Sequence, residues 1–262
     1  MSENFIFQES EIDRQYFRFT NEIKERSGRL AEMDVSAISE RLSIFDEFDQ
    51  MKERIICLIN LTNLQYFFVS KNISDVLGYP SETFKKQGLR MAFKILPLSH
   101  LTLPLTLVRW IKKASKSPSS RIDKFYMNGL SMKHKSGKKL LFFMQVDTIA
   151  YSPAGYPAIT LCSFREISHL LKSKEYWVRF MNGEQPLGFV RSSDKGKFHT
   201  DLFTAREKEV LNLLIDHSSE EIARRLNITS GTIIKHRKNM LLKTGAKDTT
   251  ALIQLCKMSK VL

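Results

Sequence analysis

The sequence predicts an α+β protein: an antiparallel sheet with short interspersed helices, followed by an all-α unit of four helices. Three observations carry this. Apolar runs with the two-residue alternation of strands concentrate between residues 51 and 172. Helix caps and apolar stripes at three- and four-residue spacing recur four times after residue 200. Between them, residues 173–198 hold Gly183, Pro186, Gly188, Ser192, Ser193 and Gly196, the composition of a linker.

The chain has 262 residues and a net charge of +13. That length suits two modest domains, each with its own core. The charge is unevenly placed. Residues 1–50 carry 6 basic and 12 acidic side chains, whereas residues 51–172 carry 19 and 6. Residues 199–262 carry 11 and 7, so the most basic stretch is the sheet region and not the helical unit. The excess either docks the acidic N-terminal segment or attracts an anionic partner. Met1 to Ser10 lacks a basic start before an apolar run and is not read as a signal peptide. No apolar stretch is long enough to span a bilayer, so the expected location is the cytoplasm. Cys57, Cys162 and Cys256 form no CxxC or Cys/His cluster, and are read as buried thiols in a reducing compartment. No metal site and no catalytic set of paired carboxylates, nucleophile with base, or phosphate-binding glycine loop is recognised.

Residues 1–50 have helical periodicity, with Ile12, Tyr16, Phe19 and Ile23 in one stripe and Ile38, Leu42, Phe45 and Phe48 in another. Either they pack on the next domain or they pair across a dimer. Strands follow at Ile55–Ile59 and Tyr66–Ser70, then helical pieces at Ile73–Leu77, Ser81–Lys86 (with Ser81 as a cap) and Leu98–Ala114. Three longer strands come next, Lys124–His134, Lys139–Ala150 and Pro157–Arg165. They are joined by hairpin turns at Lys135–Lys138 and Ser152–Gly155. Tyr176, Trp177 and Phe180 are taken as a helix leaving this region, at the start of the linker.

This order of elements over residues 51–172 resembles a PAS sensor domain. The strings FFVSKNISDVLGYPSETF (Phe67 to Phe84), HKSGKKLLFFMQV (His134 to Val146) and SFREISHLLK (Ser163 to Lys172) support the resemblance, although Arg165 stands where the family usually has an acid. The resemblance implies either a small-molecule site or a dimerisation module. The Asn-Cys-Arg-type string of a flavin photosensor is missing. His100 and His134 are the candidate axial ligands for haem, and each reads better as an ordinary surface or core histidine. The cofactor is unknown from sequence. A small apolar metabolite is one candidate ligand, with Phe142, Phe143 and Met144 near the sheet, but strand alternation lines a core equally well and assigns no ligand residue.

The C-terminal unit, residues 199–262, opens with Thr204 and Glu207, the spacing of a capping box. Val210, Leu211, Leu214 and Ile215 supply its stripe. A second start lies at Ser218-Ser219, with Glu220 and Glu221 suited to a helix N-terminus. Asn227-Ile228-Thr229 is a turn, Thr229 caps a third helix, and Asp248 caps a fourth. Two helices joined by so short a turn form a helix-turn-helix. The string Phe203 to Ala246 closely resembles the LuxR-type helix-turn-helix of bacterial response regulators and quorum sensors. The resemblance implies a transcriptional regulator that binds double-stranded DNA, as a homodimer in which the last helix often makes the contact.

The third helix is then the DNA reader, its N-terminal residues near base edges in the major groove. The expected DNA-contacting residues are Ser230, Thr232, Ile234, Lys235, Arg237, Lys238 and Lys243. Ser230 and Thr232 suit a phosphate beside free backbone N–H groups, and Gly231 permits close approach. Ile234 occupies a position usually basic or polar in the family, and either covers a thymine methyl or tucks into the core. His217 and Thr244 replace the usual glycine and leucine. His236 is expected to be structural. The alternative function is a protein-interaction module whose helix-turn-helix no longer reads DNA.

Overall fold

The computed structural model describes residues 11–18, 21, 40, 53–114, 121–173, 175–194 and 197–262. Most of the predicted N-terminal helix pair, including Phe19, Ile23, Ile38 and Leu42, lies outside them. Helix α1 (residues 11–18) packs on the sheet domain. Ile12 is buried, Tyr16 meets Phe93 edge-on at 5.3 Å, and Asp13 pairs with Arg90 at 2.8 Å.

The strands are β1 (Arg54–Asn60), β2 (Gln65–Val69), β3 (Lys124–Lys133), β4 (Lys139–Tyr151) and β5 (Pro157–Glu166). Between β2 and β3 lie α2 (Ile73–Leu77), α3 (Ser81–Gln87), α4 (Leu89–Ile95) and α5 (Leu103–Ala114). Ser81 is not the cap of α3: Pro80 occupies that position, with no side-chain cap bond, and Ser81 is the first helical residue. Helix α4 was not expected from the sequence. It starts directly after Gly88, whose left-handed backbone (φ 59°) separates it from α3, and the Leu89 N–H donates to the Leu64 carbonyl at 2.9 Å.

The segment expected as a linker is a correction. Its residues form β6 (Trp177–Asn182), β7 (Gln185–Arg191) and β8 (Phe198–His199), and the aromatic start read as a helix is β6. Among the described residues the sheet thus has eight strands, ordered β2-β1-β5-β4-β3-β6-β7-β8. The physical reason is local. Gly183-Glu184 supplies a tight two-residue hairpin turn, with Gly183 at φ 55°. Pro186 sits where the β6–β7 register shifts, a place where its missing N–H is tolerated.

Strands β3, β4 and β6 are buried on both faces, and alternation divides their side chains. Phe125, Met127, Phe142, Met144, Val146, Val178 and Phe180 join one core, under α2 to α5. Tyr126, Phe143, Trp177, Met181 and, from β7, Phe189 join a second core. That second core also contains the C-terminal helices α6 (Ala205–Leu213), α7 (Ser219–Leu226), α8 (Ser230–Thr244) and α9 (Thr249–Met258). The four helices were expected. Their union with the sheet in one core was not.

Candidate nucleic-acid interface and apolar cavity

Each helix of the C-terminal unit starts on a side chain that accepts from one of its orphan N–H groups. The Thr204 hydroxyl accepts from Glu207 N–H at 3.2 Å, and the Glu207 carboxylate accepts from Thr204 N–H at 2.8 Å. Ser218 and Glu221 repeat this reciprocal box at 3.3 and 2.8 Å. Thr229 accepts from Thr232 N–H, and Asp248 from Ala251 N–H. Helix α7 ends at Asn227 in a left-handed conformation (φ 51°), which turns the chain sharply into α8. Ile222, Ala223, Ile233 and Met240 fill the space between the helices.

On α8, Ile233, Met240 and Thr244 define the buried face. Gly231, Ile234, Lys235, Lys238, Asn239 and Leu242 are exposed. At 100° per residue these two groups lie on opposite sides of the helix. Ile234 is 57% exposed, so it does not tuck into the core. Thr232 is half-buried, its hydroxyl 2.9 Å from that of Thr229, and Ser230 is half-buried in the first turn.

Two expected DNA contacts have other work. Arg237 donates to the hydroxyls of Ser219 (2.8 Å) and Thr249 (2.7 Å), which ties α8 to α7 and α9. Lys243 pairs with Glu207 at 2.6 Å, and Glu207 is only 3% exposed. Burial works to raise the Glu207 carboxyl, but the Lys243 ammonium and the Thr204 N–H outweigh it and hold it below the usual carboxylate range. Sequence spacing places both cations on the reader helix; only the packing of α6, α7 and α9 around it assigns them inward. His236 is half-buried.

The buried face of α8 meets the sheet at its C-terminal end. The Thr244 carbonyl accepts from Asn128 Nδ2 at 3.1 Å and from Trp177 Nε1 at 3.3 Å. Lys172 N–H donates to the Gly245 carbonyl, and Lys247 N–H to the Leu170 carbonyl, each at 2.9 Å. Arg179, on β6, is largely buried and donates to the carbonyls of Ser259 and Lys260 at the end of α9. A cation there complements the partial negative charge of a helix C-terminus. The sheet therefore grips α8 and α9 from behind, and the exposed face of α8 points away from it. The apolar side of α9 (Ala251, Leu252, Leu255 and Cys256) is spent within the chain, leaving Thr250, Gln254 and Lys257 exposed.

Across the sheet lies an apolar cavity of about 240 Å³. Its wall includes Cys57, Leu77, Phe93, Met127, Met144 and Val146, together with Tyr66, Thr148 and Thr160. Neither histidine weighed as a ligand lines it. His100 is buried against Tyr176, with ring centroids 5.4 Å apart, and burial followed by the charge of Lys139 lowers its pKa. The His134 ring bonds the Ser136 hydroxyl in the β3–β4 turn. Met144 faces the cavity and its neighbour Phe143 faces the helices, so a single layer of strand separates the two.

Four capped helices with an exposed third helix define a helix-turn-helix domain. Residues 201–256 match the family described as GerE, bacterial regulatory proteins, luxR family. The transcriptional regulatory protein MctR of Rhizobium johnstonii is 43% identical over 56 residues, 21% of this chain and 26% of that protein. The chain thus matches about a quarter of that relative's length. VqmA of Vibrio cholerae in complex with ligand and DNA is similar at 15% identity and a TM-score of 0.34, over 84% of this chain and 87% of that one. A PAS domain from Colwellia psychrerythraea is similar at 16% identity and a TM-score of 0.36, over 51% of this chain and 98% of that one. At these values neither likeness bears on ligand or target. No helix among the described residues is long and apolar enough to cross a membrane.

Proposed function

We propose that this chain is a cytoplasmic transcriptional regulator that acts by binding and not by catalysis, with α8 in the major groove of double-stranded DNA. The exposed face of α8 on a fully capped helix-turn-helix carries the proposal. Lys235 and Lys238 contact guanine edges or phosphates, and Ile234 covers a thymine methyl. Ser230 and Thr232 sit at the α8 N-terminus, where first-turn N–H groups lie outside the helical ladder and suit a phosphate. Arg237 and Lys243 support the reader from within. Two copies bind a two-fold site with half-sites one helical turn apart, or a multiple of that. The cavity takes a small, uncharged, largely apolar ligand and sets DNA affinity through the sheet.

Selection from random duplex DNA tests this. A recovered palindrome is the expected result. Failure to enrich any sequence, with retained binding to a regulatory protein, overturns the DNA reading in favour of protein interaction.

A further inference from the structure

Cys57 on β1 and Cys162 on β5 are partners in strand register, and both line the apolar cavity. Their side chains therefore leave the same face of the sheet. Ile56 turns its backbone toward β2: its N–H donates to Ser70 Oγ at 2.8 Å, and its carbonyl accepts from Ser70 N–H at 2.9 Å. Alternation then turns the N–H and C=O of Cys57 toward β5. That makes Cys57 and Cys162 a hydrogen-bonded pair, for which the Cα atoms stand about 5.5 Å apart. Disulfides have Cα atoms about 5.5–6 Å apart and Cβ atoms about 3.8 Å apart. Cross-strand Cβ atoms lie about 4.5–5.5 Å apart, with the longer value for a hydrogen-bonded pair, so a closure of roughly 1.5–2 Å joins the sulfurs.

We propose that Cys57 and Cys162 form a dithiol site that small, uncharged, apolar oxidants of the quinone class convert to an intrachain disulfide from within the cavity. Both S–H bonds break and one S–S bond forms. The two hydrogens pass to the two quinone oxygens and leave a hydroquinone. The inference rests on the cavity and the register, independently of DNA binding.

The surroundings choose the oxidant. Burial pushes the Cys57 thiol up and the Cys162 thiol up to about 12. Oxidants that stay in water and need a thiolate find almost none. The apolar wall instead concentrates an apolar oxidant beside the sulfurs. A cavity of about 150 Å³ with such a lining already holds benzene, and this one is larger. Thr160 Oγ1 lies 3.9 Å from Cys162 Sγ, a polar neighbour on the same face of the strand. Because the strands must be drawn together, the disulfide is strained and readily reduced, a property of switches and not of structural staples. Cys256 is buried in the other core and has no cysteine opposite it, so it serves as an internal control.

The test treats the full-length protein with tetramethyl-1,4-benzoquinone, whose substituted ring resists alkylation, and in parallel with glutathione disulfide. The expected result is that the three thiols counted in denaturant fall to one with the quinone and stay at three with glutathione disulfide. Mass should fall by two hydrogens, peptide mapping should join Cys57 to Cys162, and dithiothreitol should restore all three thiols. The Cys256→Ser protein keeps the pair and should go from two thiols to none, so the test does not depend on a variant that disturbs the cavity. Three thiols remaining after quinone, a link that includes Cys256, or equal oxidation by glutathione disulfide overturns the proposal.

Discussion

The indole Nε1 of Trp177 donates to the carbonyl of Thr244, at 3.3 Å. Trp177 opens a strand in a segment whose composition suggests a linker, and Thr244 closes the helix proposed to enter DNA. The bond belongs to a set, with Asn128 on the same carbonyl and Arg179 on the end of α9. Through it the sheet and the helix-turn-helix form one packed body.

Arg179→Met should loosen that body. It removes charge-assisted bonds to the Ser259 and Lys260 carbonyls while keeping much of the aliphatic packing. Bonds of this kind contribute about 1.5–3 kcal/mol. Amide hydrogen exchange should show protection lost along α9 and β6, with the far strands β1 and β2 unchanged. Unaltered exchange in α9 would show that the contact does not hold the helices.

The exposed face of α8 separates affinity from choice of site. Lys238→Ala should weaken binding to all sequences alike and lower the slope of log K against log salt by about one. Ile234→Lys should instead change which sequences are selected, because it replaces an apolar surface with a hydrogen-bond donor. An unchanged selection profile for Ile234→Lys would remove Ile234 from the interface. Lys243→Ala should destabilise the domain, since it leaves Glu207 buried without its ion pair.

That pair also sets an acid limit. The Glu207 carboxyl is held below its ordinary value, so its stabilising contribution is present above about pH 4.3, the ordinary glutamate value. It is lost as pH falls through the depressed native value. Thermal melts from pH 6 down to pH 2 should show a steeper acid loss in the parent than in Glu207→Gln, which keeps a capping side chain but has no charge to titrate. Parallel curves would mean that the pair contributes nothing.

Gly188→Ala tests the sheet extension. A Cβ at Gly188 would stand 2.2 Å from the Phe198 ring and 2.6 Å from the His199 carbonyl, and its φ of 152° already disfavours a side chain. Relief requires β8 to move off β7. Denaturant titration should show a loss of about 1–3 kcal/mol, in the range of overpacked sites, with increased proteolysis between Arg191 and Asp201. A stability equal to that of the parent would mean that β8 is not bound as described.

The sequence by itself determined what depends on neighbours in the chain. Caps at Thr204, Ser218, Thr229 and Asp248 are side chains bonding to backbone three residues away, so their spacing reveals them. The β3–β4 hairpin and the exposed lysines of α8 were legible for the same reason, since both follow from local turn chemistry and helical period. Tertiary structure alone decided what depends on residues far apart. It turned Arg237 and Lys243 inward, because their partners come from other helices, and it made strands of a segment rich in glycine. It set Cys57 opposite Cys162, because strand register is fixed by the pairing of β1 with β5 across more than a hundred residues. It also joined Trp177 to Thr244: a strand with two buried faces needs a cover on each side, and nothing within the strand names what that cover will be.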